Sequence, residues 1–135
     1  MLAERIRIAL QTEFPEVPFR FGVSDSVASL DSPSSEVGTL DICDDGDEAT
    51  IYLGSITHAH LGCYDDTLSE EQRADRVTED VVSFIRALLA DRVVGFRALG
   101  GMVGGYRMLS HDETKPDRSR FRPLSRLYLW SGPLP

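Results

Sequence analysis

Residues 37–53 constrain the fold more than any other stretch. Asp44-Asp45-Gly46-Asp47 separates two runs in which apolar and polar residues alternate, and an Asp-Gly pair between such runs is among the strongest short-range signals for a β-hairpin. Centring the turn on Asp45-Gly46 pairs Ile42 with Ala49, Leu40 with Ile51 and Gly38 with Leu53. Every apolar side chain then shares one face, while Thr39, Asp41, Cys43, Glu48, Thr50 and Tyr52 share the other. Side chains alternate with period two, so a slip of one residue would turn the whole apolar set outward. The chain must therefore build a sheet with one buried face and supply an apolar cover for it.

Two segments can be that cover. Leu2, Ile6, Leu10 and Phe14 recur at four-residue steps among charged residues, which predicts a short amphipathic helix over residues 2–14, stopped by Pro15. Ser69 with Gln72 three residues on reads as a capping box, and Glu70 and Glu71 suit the positive end of a helix dipole. From there Ala74, Val77, Val81, Ile85 and Leu88, widened by Phe84 and Leu89, make the stripe of a long helix.

The remaining segments read as sheet and connections. Residues 17–23 alternate like a strand that Pro18 confines to an edge. Residues 24–35, rich in Ser, Asp and Pro, read as a surface loop. Residues 93–98 alternate as a strand, 100–105 form a glycine-rich crossing into Tyr106-Arg107-Met108-Leu109, and 110–123 are a long polar loop. The last strand is Leu127-Tyr128-Leu129-Trp130, ended by Gly132-Pro133. Short connections favour antiparallel neighbours. The expected fold is α+β, a single mostly antiparallel sheet of about five or six strands with two helices packed on one face. It forms one domain over residues 1–135, a length that can bury its own core.

Charge is distributed unevenly. The net charge is -8, yet residues 31–80 hold 14 acidic against 2 basic side chains and residues 81–135 hold 4 acidic against 9 basic. An acidic middle disfavours nucleic acid and anionic membranes as partners and suits a basic protein partner or simple solubility. No stretch approaches the ~18–20 uninterrupted apolar residues of a membrane helix. The charged N-terminal pattern is not that of a secretory signal. Two isolated cysteines, Cys43 and Cys63, suit a reducing, cytoplasmic setting.

Reactive side chains crowd into residues 54–66, where a strand meets the long helix. His58 and His60 lie two apart and project from one face of a strand, the spacing with which a strand offers two imidazoles to zinc or another divalent transition metal. Cys63, Asp65, Asp66 or Asp41 would complete such a set. If the strand runs unbroken from Ala49, the histidines share the polar face with Thr50 and Tyr52; if Gly54 marks a bulge, they turn to the core. The alternative to a metal site is a pair of histidines satisfying backbone groups beside a polar cleft, with no cofactor. The glutamate of a cupin-like pattern and the Asp-His of a metallo-β-lactamase-like pattern are both missing downstream. Cys63 has no cation beside it to favour a thiolate, G-x-S-x-G is absent, and residues 100–105 lack the lysine-serine or lysine-threonine ending of a phosphate loop. No catalytic set can be assembled.

Binding surfaces are easier to nominate. Asp41, Asp44, Asp45, Asp47 and Glu48 with Tyr52 form an acidic face. Tyr128 and Trp130 give the last strand a second apolar face, to be covered by the long loop, by a protein partner or by self-association. Arg118, Arg120, Arg122 and Arg126 are the one basic cluster, suited to an anion or to the protein's own carboxylates.

Ile-Thr-His-Ala-His at 56–60, Phe-Ile-Arg-Ala-Leu-Leu-Ala-Asp-Arg-Val-Val at 84–94, the glycine-rich crossing and Leu-Trp-Ser-Gly at 129–132 together resemble small bacterial α+β proteins, a kind that includes immunity partners of secreted toxins. The resemblance covers about residues 36–132. It implies a cytoplasmic, non-enzymatic, protein-binding role and carries no catalytic residues with it.

Overall fold

In a computed structural model, which describes residues 2–23, 25–98 and 104–135, the hairpin lies at the middle of a meander. Strands β1 (Arg20–Phe21), β2 (Ala28–Asp31), β3 (Thr39–Asp44), β4 (Glu48–Leu53) and β5 (Thr57–Gly62) pair in sequence order, each antiparallel to the last. Two helices, α1 (Leu2–Glu13) and α2 (Glu70–Leu89), pack against one another and against this sheet. A second antiparallel sheet is formed by β6 (Val93–Arg97), β7 (Gly104–Met108), β8 (Arg126–Leu129) and β9 (Gly132–Pro133), in the order β7-β6-β8-β9.

The α+β class holds, but the strands divide into two sheets of five and four rather than forming one of five or six. Strand β6 takes β7 and β8 as its neighbours and does not extend the edge at β5. One buried cluster nevertheless runs through both sheets, from Leu2, Ile6 and Leu10 of α1 through Leu40, Ile42 and Ile51 to Val81, Ile85 and Leu88 of α2, and on to Val93, Tyr128 and Trp130. Each large apolar side chain fully buried here contributes about 1.5–3 kcal/mol relative to its exposed state.

The hairpin register differs from the expected one by two residues. Ile42 pairs with Ile51, Leu40 with Leu53 and Asp44 with Ala49. The turn is centred on Gly46-Asp47, closed by the Asp45 amide donating to the Glu48 carbonyl at 2.9 Å, and Gly46 carries the positive φ. Glycine as the first of two central residues is the II′ arrangement. A shift of two preserves the faces, so the apolar residues still point to the core.

Three further segments depart from expectation. Strand β1 has only two residues. The presumed loop at 24–35 contains β2, whose Ala28, Ser29 and Leu30 are buried; Ser29 is accommodated because its hydroxyl donates to Asp41 at 2.6 Å. The chain also reverses at Gly54-Ser55-Ile56, so β4 neither continues unbroken nor bulges. Gly54 has φ +53°, and a Cβ there would lie 2.0 Å from the Val37 carbonyl oxygen. A Cβ on Gly104 would lie 2.1 Å from the Ile56 carbonyl oxygen. Backbone thus meets backbone on both sides of this turn, and it is here that the two sheets join. The glycine-rich crossing falls, as far as residue 103, outside the described residues; Gly104 and Gly105 open β7.

The helices follow the sequence closely. Ser69 accepts from the Gln72 amide at 3.1 Å while its own amide donates to the Gln72 side chain at 2.8 Å, completing the capping box. The two helices run side by side in the same direction: Arg5 reaches Glu71 and Asp75 at one end, and Arg86 reaches Glu13 at the other.

Candidate functional site

The helices cover one face of the five-stranded sheet, and the strands place a defined set of side chains on the other. Register fixes their rows. Arg20, Ser29, Asp41, Tyr52 and His58 stand side by side across all five strands. Cys43, Thr50 and His60 form the next row, and Asp45 and Glu48 flank the turn beyond it. Both histidines therefore share the polar face with Thr50 and Tyr52, although a chain reversal puts them there.

Aromatic groups occupy one side of this face. Tyr52 is 42% exposed; its ring lies 5.7 Å from that of His58, which meets the His60 ring edge-on at 4.9 Å. A shallow hollow of about 660 Å³ leads from Tyr52 and His58 over the turn to Phe96 and Tyr106 of the second sheet.

Carboxylates occupy the other side. Asp41 accepts from Ser26 and Ser29, and Asp31 takes a bidentate pair from Arg20 at 3.0 Å. That guanidinium, with Thr39, lowers the Asp31 carboxyl below its ordinary value. Asp44 lies on the helix side instead, opposite buried Ala49 and accepting from the amides of Ala3 in α1 and Gly46, and Asp47 is exposed at the turn. Asp45, Glu48 and His60 bring their donor atoms within 4.8 Å of one another. His60 Nδ1 lies 3.1 Å from Glu48 Oε1 and 3.1 Å from Thr50 Oγ1. Thr50, fully buried, donates its hydroxyl to Asp45, and Tyr64 donates its phenol to Glu48 Oε2. That donation holds the Tyr64 phenol above its ordinary pKa. Gly62 stands opposite Glu48, and its missing side chain leaves the space through which Tyr64 reaches back.

The other nominated residues separate. Cys63 and Asp66 line a hollow of about 230 Å³ beside Arg73 and Val77 near the start of α2, and Asp65 accepts from the amide and hydroxyl of Thr67. Tyr128 and Trp130, expected to form a second apolar face that the long loop or another chain must cover, are only 9% and 6% exposed and belong to the shared core. Burial above all, reinforced by Asp45, Asp41 and Asp25 against a hydrogen bond from Ser26, pushes the Cys43 thiol up, away from nucleophilic chemistry.

Three of the four arginines of the basic cluster meet the protein's own oxygens. Arg118 donates to the Ser125 carbonyl at 2.7 Å, Arg120 lies 3.9 Å from Asp117, Arg126 pairs with Glu36 at 3.1 Å, and Arg122 is exposed. Among the described residues no helix is long and apolar enough to cross a membrane. Compared with protein-family models, with curated proteins and with solved structures, the chain finds no match.

Proposed function

We propose that this chain is a non-enzymatic binding module, of inhibitor or immunity type, that receives a basic protein partner on the open face of its larger sheet. The observation that carries this reading is the composition of that face. Antiparallel sheets commonly leave one side to water, but this side combines an exposed tyrosine and an edge-to-face pair of histidines with Asp41, Asp45 and Glu48. Aromatic side chains supply the contact energy of binding surfaces, and carboxylates around them select a partner of opposite charge and speed its encounter. Tyr52 and His58 contribute the anchor, with the adjoining hollow as a seat for a partner side chain; Asp47 at the hairpin turn extends the acidic rim.

Site-specific photo-crosslinking tests this. A photoreactive residue replacing Tyr52 should capture one protein in cells that make this chain, while the same residue replacing Glu79, exposed on α2, should not. The captured protein, once purified, should bind saturably, with affinity that falls with added salt and is lost on Asp45→Lys/Glu48→Lys. Equal capture from both positions, or binding indifferent to the charge reversal, would overturn the proposal.

A further inference from the structure

We infer that Asp45, Glu48 and His60 form a binding site for a divalent transition-metal ion, zinc being the natural probe. The inference stands independently of any protein partner. An imidazole with two carboxylates is a donor set suited to transition metals, unlike a patch of acids alone.

The spacing fits a shared ion. Two donors bonded to zinc at about 2.0–2.1 Å in tetrahedral geometry stand roughly 3.3 Å apart, and His60 Nδ1 is 3.1 Å from Glu48 Oε1. Asp45 completes the triad within 4.8 Å. The hairpin turn forces Asp45 and Glu48 opposite one another with both side chains on one face, where like charges repel, and a cation between them would relieve that repulsion.

The carboxylates are also held from behind. Thr50 Oγ1 donates to Asp45 Oδ2, and the Tyr64 phenol donates to Glu48 Oε2. Each bond occupies one oxygen of its carboxylate and leaves the other for the ion, the role that outer hydrogen bonds play around ligating groups. Because Thr50 gives its proton to Asp45, it does not compete for the Nδ1 lone pair. On metal binding the imidazole acts as the neutral ring through Nδ1, and any proton on that atom passes to solvent. Three protein ligands on an exposed face leave a fourth position for water or a ligand from another molecule. His58, though on the same face, lies outside the triad.

Calorimetric titration of the purified chain with zinc tests the site, with magnesium as the comparison and circular dichroism to confirm that each variant folds. Zinc should bind saturably at one site per chain and magnesium should not. His60→Ala and Glu48→Gln should each weaken zinc at least tenfold, while His58→Ala should change it by less than about twofold. Absence of saturable zinc binding would overturn the inference. So would retention of affinity in His60→Ala, or an equal loss in His58→Ala, which would move the site to the histidine pair.

Discussion

Gly54 decides more about this surface than any of the side chains displayed on it. Its positive φ suits glycine, and the space where a Cβ would stand is taken by the Val37 carbonyl. Gly46 also has a positive φ, +92°, but nothing lies within 4 Å of its absent side chain. Gly46→Ala should therefore cost only the left-handed backbone penalty of about 1–2 kcal/mol. Gly54→Ala adds a backbone collision and should cost clearly more, roughly 3 kcal/mol or above; urea denaturation of the two variants gives the comparison, and equal losses would deny the clash. The same residue marks how far the sequence could be read. H-x-H spacing correctly put His58 and His60 on one face, yet which neighbours His60 meets depends on pairing between β4 and β5. Thr50 stands opposite His60 only because the chain reverses at Gly54. Asp45 and Glu48 were legible as acids of a hairpin; their approach to His60 was not, because residue types do not encode cross-strand register.

At the level of elements, legibility tracked local energetics. Helix α2 could be read to its cap because Ser69, Gln72 and the apolar stripe are all local signals. Strand β2 was hidden because its buried Ser29 is satisfied by Asp41, 12 residues away. The loop after β7 was expected as a long polar connection, and the structure shows what fastens it. Glu113 accepts a bidentate pair from Arg107 at 2.8 and 3.1 Å and the Ser110 amide at 3.0 Å, while Arg92 donates to the Ser110 and Glu113 carbonyls. Arg107 first, then Ser110, lowers the Glu113 carboxyl from 4.5 to about 2. The folded state thus prefers the carboxylate more than the unfolded chain does. Its stabilisation is complete well above pH 4.5, declines as acid protonates the unfolded chain, and is lost as pH falls through about 2. Glu113→Gln should lower stability at pH 7 and flatten the acid dependence over that window, as thermal melts across pH would record; an unchanged slope would remove Glu113 as its source.

For the whole molecule, the division into two sheets raises the question of whether they unfold together. Trp130 is the only tryptophan and sits in the cluster that both sheets share, its carbonyl accepting from Ser32 at 2.6 Å. Its fluorescence should follow the same urea transition as far-UV circular dichroism, because loss of either sheet exposes that core; separate midpoints would show two cooperative units. The second sheet itself was not legible, since nothing in residues 93–130 states that β6 will decline the edge at β5. The side-by-side helices have a consequence in time. Most strands pair with a neighbour close in sequence, but α1 packs on α2, and Arg5 finds Asp75 70 residues later. At a synthesis rate of about 5–20 residues per second, the first helix waits on the order of 4–14 s on the ribosome before its partner is made. During that interval the stripe of Leu2, Ile6 and Leu10 has only the strands of the larger sheet as cover, and a nascent chain of this design is open to chaperones through helix α1.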